Sequence, residues 1–258
     1  MERRNGDGGY AFSRGTESNA QDTYCALAIL RLLKVPFPGV QQTARWLEGF
    51  DPYSLHSQYY MTKALELCAE TLGQSLSDHW PHLHVSKTRF EAMDLHAGSS
   101  FWFNAIYMVT ELMSTIDTEV DRKKTVRLLL SCSNDDGGFG VHSYSDLTST
   151  YHALSSLHNL GFLIRSLKGV AEYVRSCEML SGGFTLVPNT SPAHMEHAYH
   201  GVASLSLLEE QPKYPQQIAR FVFRCQRSNG GFARSEAGIS TLEDTYYAID
   251  TLRRLGRV

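Results

Sequence analysis

A glycine–glycine–aromatic turn followed by a tyrosine-led helical stretch occurs four times in this chain, and that recurrence limits the fold more than any other feature. The copies are Gly8-Gly9-Tyr10 before Tyr24, Gly137-Gly138-Phe139 before Tyr151, Gly182-Gly183-Phe184 before Tyr199, and Gly230-Gly231-Phe232 before Tyr246. Paired glycines accept backbone angles closed to other residues, so each copy predicts a tight turn. After the loop, apolar residues return at helical spacing, as at Tyr246, Tyr247, Ile249, Leu252 and Leu255. Two more stretches keep the helix without the glycines, HSQYYMTKALEL with Tyr59 and SSFWFNAIYMVTEL with Phe101. The six anchors Tyr24, Tyr59, Phe101, Tyr151, Tyr199 and Tyr246 are then 35, 42, 50, 48 and 47 residues apart, room for two helices per repeat.

Between the anchor helices lie shorter partner segments, at 41–47, 88–96, 119–131, 164–177 and 215–226, and no strand-like alternation competes with them. The expectation is a single all-α domain over residues 1–258, an α/α toroid of about six helix hairpins. In a closed ring the more apolar anchor helices lie inside and the partners outside; an open superhelix is the alternative. The net charge is −3 and no basic run occurs, which argues against a nucleic-acid surface. No apolar stretch reaches the length of a membrane span, and MERRNGDGGY has no apolar segment behind its arginines, so it is not read as a signal peptide. The five cysteines are scattered, with no CxxC pair, and are expected to be buried free thiols in a reducing cytoplasm.

The GGF…TYxAL…L pattern resembles the toroid repeats of protein prenyltransferase β subunits and of squalene–hopene-type terpene cyclases, over nearly the whole chain. That resemblance implies six inner and about six outer helices around an apolar cavity that holds an isoprenoid-like molecule, and it brings in the prospect of a helical partner subunit. It also implies where chemistry should sit. Zinc-dependent prenyltransferases place an Asp and a Cys just before the aromatic of the fifth anchor helix and a His near the last; the corresponding residues here read Glu196, Ala198 and Tyr247. Without a thiolate or imidazole there, a zinc site that activates a substrate thiol is disfavoured. The loop VPNTSPA also lacks the basic residues that grip diphosphate. Class II cyclases carry D-x-D-D-T, whose acid protonates an alkene or epoxide; the nearest match is Thr241-Leu242-Glu243-Asp244-Thr245, with a weaker echo at Asn19–Thr23. The plain alternative is that Asp22 and Asp244 only cap helices.

Aligned on the anchors, the positions three before and one after share a helix face. This gives an expected wall of Tyr24, Tyr59, Tyr60, Phe101, Trp102, Tyr151, Tyr199, Tyr246 and Tyr247, with His152 and His200 in the same layer. Aromatic faces attract positive charge by about 0.5–2 kcal/mol each, which suits a carbocation or a polyene, although rings also serve simply to pack helices. Glu196 and Glu243 occupy equal positions in adjacent repeats, and paired carboxylates raise one pKa into the range of a working acid. Lys63, four residues after Tyr59, is the cation expected to point inward, toward a phosphate, a carboxylate such as Glu196, or the rim. The expected catalytic set is Glu243, Asp244, Glu196 and His200. No cofactor is expected; a divalent ion on His152, His200 and Glu196 is the alternative. Acid-initiated cyclisation or isomerisation of an isoprenoid leads, ahead of a diverged transferase and of a non-catalytic toroid that binds lipid or a partner.

Overall fold

The computed structural model describes residues 3–76, 100–113, 115 and 120–258. Ten α-helices are found among the described residues: α1 (Ala20–Leu32), α2 (Val40–Glu48), α3 (Leu55–Leu72), α4 (Ser100–Leu112), α5 (Arg122–Leu130), α6 (Leu147–Asn159), α7 (Val170–Ser176), α8 (Met195–Leu207), α9 (Pro215–Arg224) and α10 (Leu242–Arg254). The predicted helix over 88–96 and the histidines at 79, 82 and 84 lie outside the described residues. The inner helices pack in the circular order α1, α3, α4, α6, α8, α10 and back to α1. The ring is therefore closed, and the superhelix alternative is set aside. Arg3 helps seal the joint, its guanidinium donating to the Ser240 carbonyl 2.7 Å away in the last repeat.

The turn before each inner helix is built from side chains that recur with the glycines. In three copies an Asp or Asn accepts from the second glycine's N–H: Asp7 from Gly9 (2.9 Å), Asp136 from Gly138 (2.9 Å) and Asn229 from Gly231 (3.1 Å). The serine before the cap residue donates to the same oxygen, as Ser18 does to Asp7 (2.9 Å) and Ser145 to Asp136 (2.7 Å). The threonine before the anchor tyrosine accepts the aromatic's N–H: Thr23 from Tyr10 (3.0 Å), Thr150 from Phe139 (2.9 Å) and Thr245 from Phe232 (3.0 Å). The loop is thus tied to the helix it introduces. Two of these loops pair as two-residue strands, β1 (Gly140–Val141) with β2 (Tyr144–Ser145) and β3 (Phe232–Ala233) with β4 (Ser240–Thr241).

This device corrects the reading of Asp22 and Asp244 as first cap residues. The caps are Asn19 and Thr241, whose side chains accept from Asp22 N and Asp244 N at 2.8 Å each. Each aspartate stands three residues inside its helix and takes a hydrogen bond back from the cap, from Asn19 Nδ2 at 2.6 Å and Thr241 Oγ1 at 2.7 Å. The partner helix predicted over 164–177 splits into a 3-10 turn (Ile164–Ser166) and α7. Gly169, with φ at 78°, separates them.

Candidate functional site

The anchor tyrosine is the fifth residue of α1, α3, α6, α8 and α10, so the same stretch of each helix turns the same ring toward the axis. On α4 the inward ring is Tyr107, not Phe101. Phe101 is 77% exposed, at the helix's outer start, and Trp102 is buried among Phe103, Phe139 and Leu154 in a helix–helix core. Both are removed from the expected wall. With Tyr107 in place all six anchors are tyrosine, and the gaps on either side of α4 become 48 and 44 residues, closer to the rest of the series than 42 and 50. That spacing is the signal that could have found Tyr107, which the choice of Phe101 as anchor missed.

The six rings form a belt across the barrel. Hydroxyl pairs tie it at two points, Tyr59 with Tyr107 at 3.4 Å and Tyr151 with Tyr199 at 3.1 Å, while Tyr107 and Tyr151, Tyr199 and Tyr246, and Tyr246 and Tyr24 meet through their rings. Neighbouring rings meet edge-on or tilted, for example Tyr24 and Tyr246 at 5.8 Å and Tyr151 and Tyr199 at 5.6 Å between centroids. Burial raises all six phenol pKa values, so they stay protonated donors and acceptors.

Above the belt, toward the N-terminal ends of the inner helices, lies a chamber of about 50 Å³ walled by the belt rings with Tyr60, Tyr247, Cys25, Asn104, Met108, His152, His200 and Glu243. Among the described residues this chamber holds a few waters, because the rings pack against one another. Glu243 is the one carboxylate lining it among the described residues. Its Oε1 accepts from Gln21 Nε2 at 2.8 Å and from Tyr247 OH at 3.2 Å. Burial raises its pKa; the Tyr247 hydrogen bond works against this, and the charges of Glu196 and Asp244 add to it. Glu196 sits half-buried and outside the chamber lining, its own pKa raised by burial and moderated by Arg234. Asp244 is occupied with its cap and does not line the chamber.

The imidazoles move the other way. Burial pushes His152 down to about 3 and His200 well below the usual histidine value. His200 stacks on Tyr151 at 4.6 Å and its Nδ1 meets Thr148 Oγ1 at 3.2 Å; His152 stacks on Tyr107 at 5.0 Å, with its Nδ1 buried and unpartnered. Their rings are 5.4 Å apart. No three His, Cys, Asp or Glu side chains among the described residues converge as metal ligands would, so Glu196 does not complete a site with these two.

Lys63 does face the axis, but below the belt, where its Nζ pairs with Glu66 at 2.7 Å rather than with Glu196. Around the opposite mouth, five of the loops leading into the inner helices each expose a large apolar side chain, Phe12, Tyr53, Tyr144, Leu186 and Ile239, and α4 exposes Phe101 in its first turn. No helix among the described residues is long and apolar enough to cross a membrane.

The sequence matches the family described as prenyltransferase alpha-alpha toroid domain over residues 1–66, 50–217 and 189–258. It is 24% identical over 247 residues to the geranylgeranyl transferase type-1 subunit beta of Arabidopsis thaliana, covering 89% of this chain but 57% of that relative's length. Among solved structures, the fold resembles Candida albicans protein geranylgeranyltransferase-I complexed with GGPP, with a TM-score of 0.69, 14% identity, and coverage of 91% of this chain and 83% of that one. A type II terpene cyclase from Scytonema in complex with merosterolic acid A is similar with a TM-score of 0.52 and 13% identity, covering 91% of this chain and 86% of the cyclase chain. A protein from Actinoplanes is similar with a TM-score of 0.57 and 16% identity, over 99% of this chain and 96% of that one.

Proposed function

The chain belongs to the prenyltransferase alpha-alpha toroid family, and from that premise and the chamber's chemistry we propose that it is an enzyme that isomerises or cyclises an isoprenoid-like polyene by proton transfer. The observation that carries this reading is one chamber holding a carboxyl group shifted up, Glu243, beside imidazoles shifted down, His152 and His200. Environments that drive two groups apart in this way separate the roles of acid and base. Glu243 gives its proton to an alkene carbon and becomes a carboxylate, while the electron pair of the double bond forms the new C–H bond. The resulting carbocation lies against tyrosine faces, which attract it. His200 then takes a proton from the adjacent carbon, and the double bond re-forms. No net proton is consumed. The proton on His200 returns to the Glu243 carboxylate through chamber water, so the site resets. The six exposed apolar residues at the mouth support a protein partner, in keeping with a relative that is named as one subunit of an assembly.

A second reading rests on the chamber's size. Ligand sites usually span about 300–1,000 Å³, and this one, at about 50 Å³, admits a polyene only if belt rings turn aside. A toroid that serves only as a partner-binding scaffold has no need of that motion. Incubation with linear polyprenols, their diphosphates and squalene, read by mass spectrometry, separates the two. The enzyme reading expects an isomer of one of them, with Glu243→Gln lowering turnover at least about hundredfold. Full turnover in that variant removes the acid assignment, and neither product nor bound polyene in the wild-type protein leaves the scaffold reading.

A further inference from the structure

Below the belt, at the C-terminal ends of the inner helices, lies a second concavity of about 230 Å³ whose floor is the same six tyrosines. The two sides of the belt differ chemically. The hydroxyls of Tyr59, Tyr107 and Tyr151 lie in the field of Glu111, and those of Tyr199 and Tyr246 in that of Asp250. Tyr60 and Tyr247 instead feel Glu243 and Glu196 above. The lower concavity exposes more polar than apolar surface, and the upper chamber does not. Each phenol has one donor and two acceptor lone pairs, and the hydroxyl pairs at 3.1 and 3.4 Å leave acceptor capacity over. The walls add Ser155, Asn159, Lys63 and Arg254.

Both long cations of this vestibule are already paired, and its carboxylate Glu111 is held by a neutral amide. Lys63 pairs with Glu66 at 2.7 Å, Arg254 with Asp250 at 2.6 Å, and Glu111 accepts from Asn159 Nδ2 at 2.8 Å. An anion has to break an ion pair to reach Lys63 or Arg254, a cation has to displace the Asn159 amide from Glu111, and an apolar ligand has to strip water from polar groups without replacing their hydrogen bonds. A molecule that presents many hydroxyls, each both donor and acceptor, meets neither cost. We propose that the lower vestibule is a binding site for an uncharged polyhydroxylated small molecule of about the size of one or two sugar rings. The site is separated from the acid–base chamber by the belt, so it stands whatever the outcome at Glu243.

Titration calorimetry of the full chain with glucose, maltose, trehalose and inositol, and with inorganic phosphate and choline as charged controls, tests this. A saturable heat with at least one neutral polyol, and none with phosphate or choline, is expected. Asn159→Leu and Ser155→Val should each weaken that binding about tenfold, with the unliganded melting temperature within a few degrees of wild type. Glu243→Gln should leave the binding unchanged. Absence of saturation by every polyol at millimolar concentration, or binding of phosphate or choline as tight as that of the polyol, overturns the proposal. Binding that survives both vestibule substitutions places the ligand elsewhere and overturns it equally. If either variant melts well below wild type, Lys63→Gln replaces it, judged by the same loss of affinity.

Discussion

His152 and Glu243 occupy one small chamber, and burial moves their protonation in opposite senses. The consequence for stability follows from linkage. His152 is held at about 3 in the folded chain, while the unfolded chain has the ordinary histidine value of about 6.5. Its contribution is therefore complete above about 6.5 and is lost as pH falls toward 3, because the unfolded chain gains a proton that the folded chain refuses. At about pH 5 that single group should remove roughly 2 kcal/mol. Glu243 works the other way: its folded pKa is raised, so its contribution is present below the ordinary carboxyl value and fades as pH rises through the folded one. Urea unfolding near neutral pH and at about pH 5 should show the loss, and His152→Gln should shrink it; an equal loss in the variant would detach the acid sensitivity from this ring. Glu243 and His200 were legible in the sequence because their spacing from an anchor places them on the inner face. Tyr107 was not, because Phe101 and Trp102 stand where an apolar anchor is expected and Tyr107 is found only by measuring the repeat.

The helices show where local sequence suffices. Each expected anchor residue lies inside an inner helix, since cap residues and apolar spacing act over short range. Strands of two residues are too short to leave an alternating pattern, so β1–β4 were invisible, and so was the reach of Asp136 and Ser145 to one another across the turn. In each of the four glycine pairs the first glycine has positive φ, at 102°, 89°, 102° and 85°. At Gly8 an added Cβ would also stand 2.8 Å from the Gln42 carbonyl oxygen, on the partner helix α2. Gly8→Ala should cost about 1–3 kcal/mol through backbone strain and this clash. Gly6, two residues earlier, lies outside the left-handed region and has open space around it, so Gly6→Ala should change little. Paired thermal melts decide it: equal melting temperatures for the two variants would mean that the turn does not fix how the loop sits on α2.

Closure is the property of the whole molecule that the repeats alone left undecided. In an open stack each repeat touches only its neighbours, the end repeats fray, and a local lesion stays local. Here α10 packs on both α8 and α1, so the chain's last helix seals its first. Every inner helix has two inner neighbours and no repeat is terminal. Leu252 of α10 is buried in the core that α8 and α10 share with the outer helices α7 and α9. Leu252→Ala removes buried methyl groups and should cost about 2–5 kcal/mol. In a closed ring that loss belongs to one cooperative transition. The slowest amide hydrogens of α4, directly across the barrel, should therefore lose protection by as much as those of α10 itself. Hydrogen exchange followed by mass spectrometry resolves the two helices. If α10 loses protection while α4 keeps it, the ring unfolds as a chain of repeats, and the belt that depends on six helices holding their tyrosines together would come apart one ring at a time.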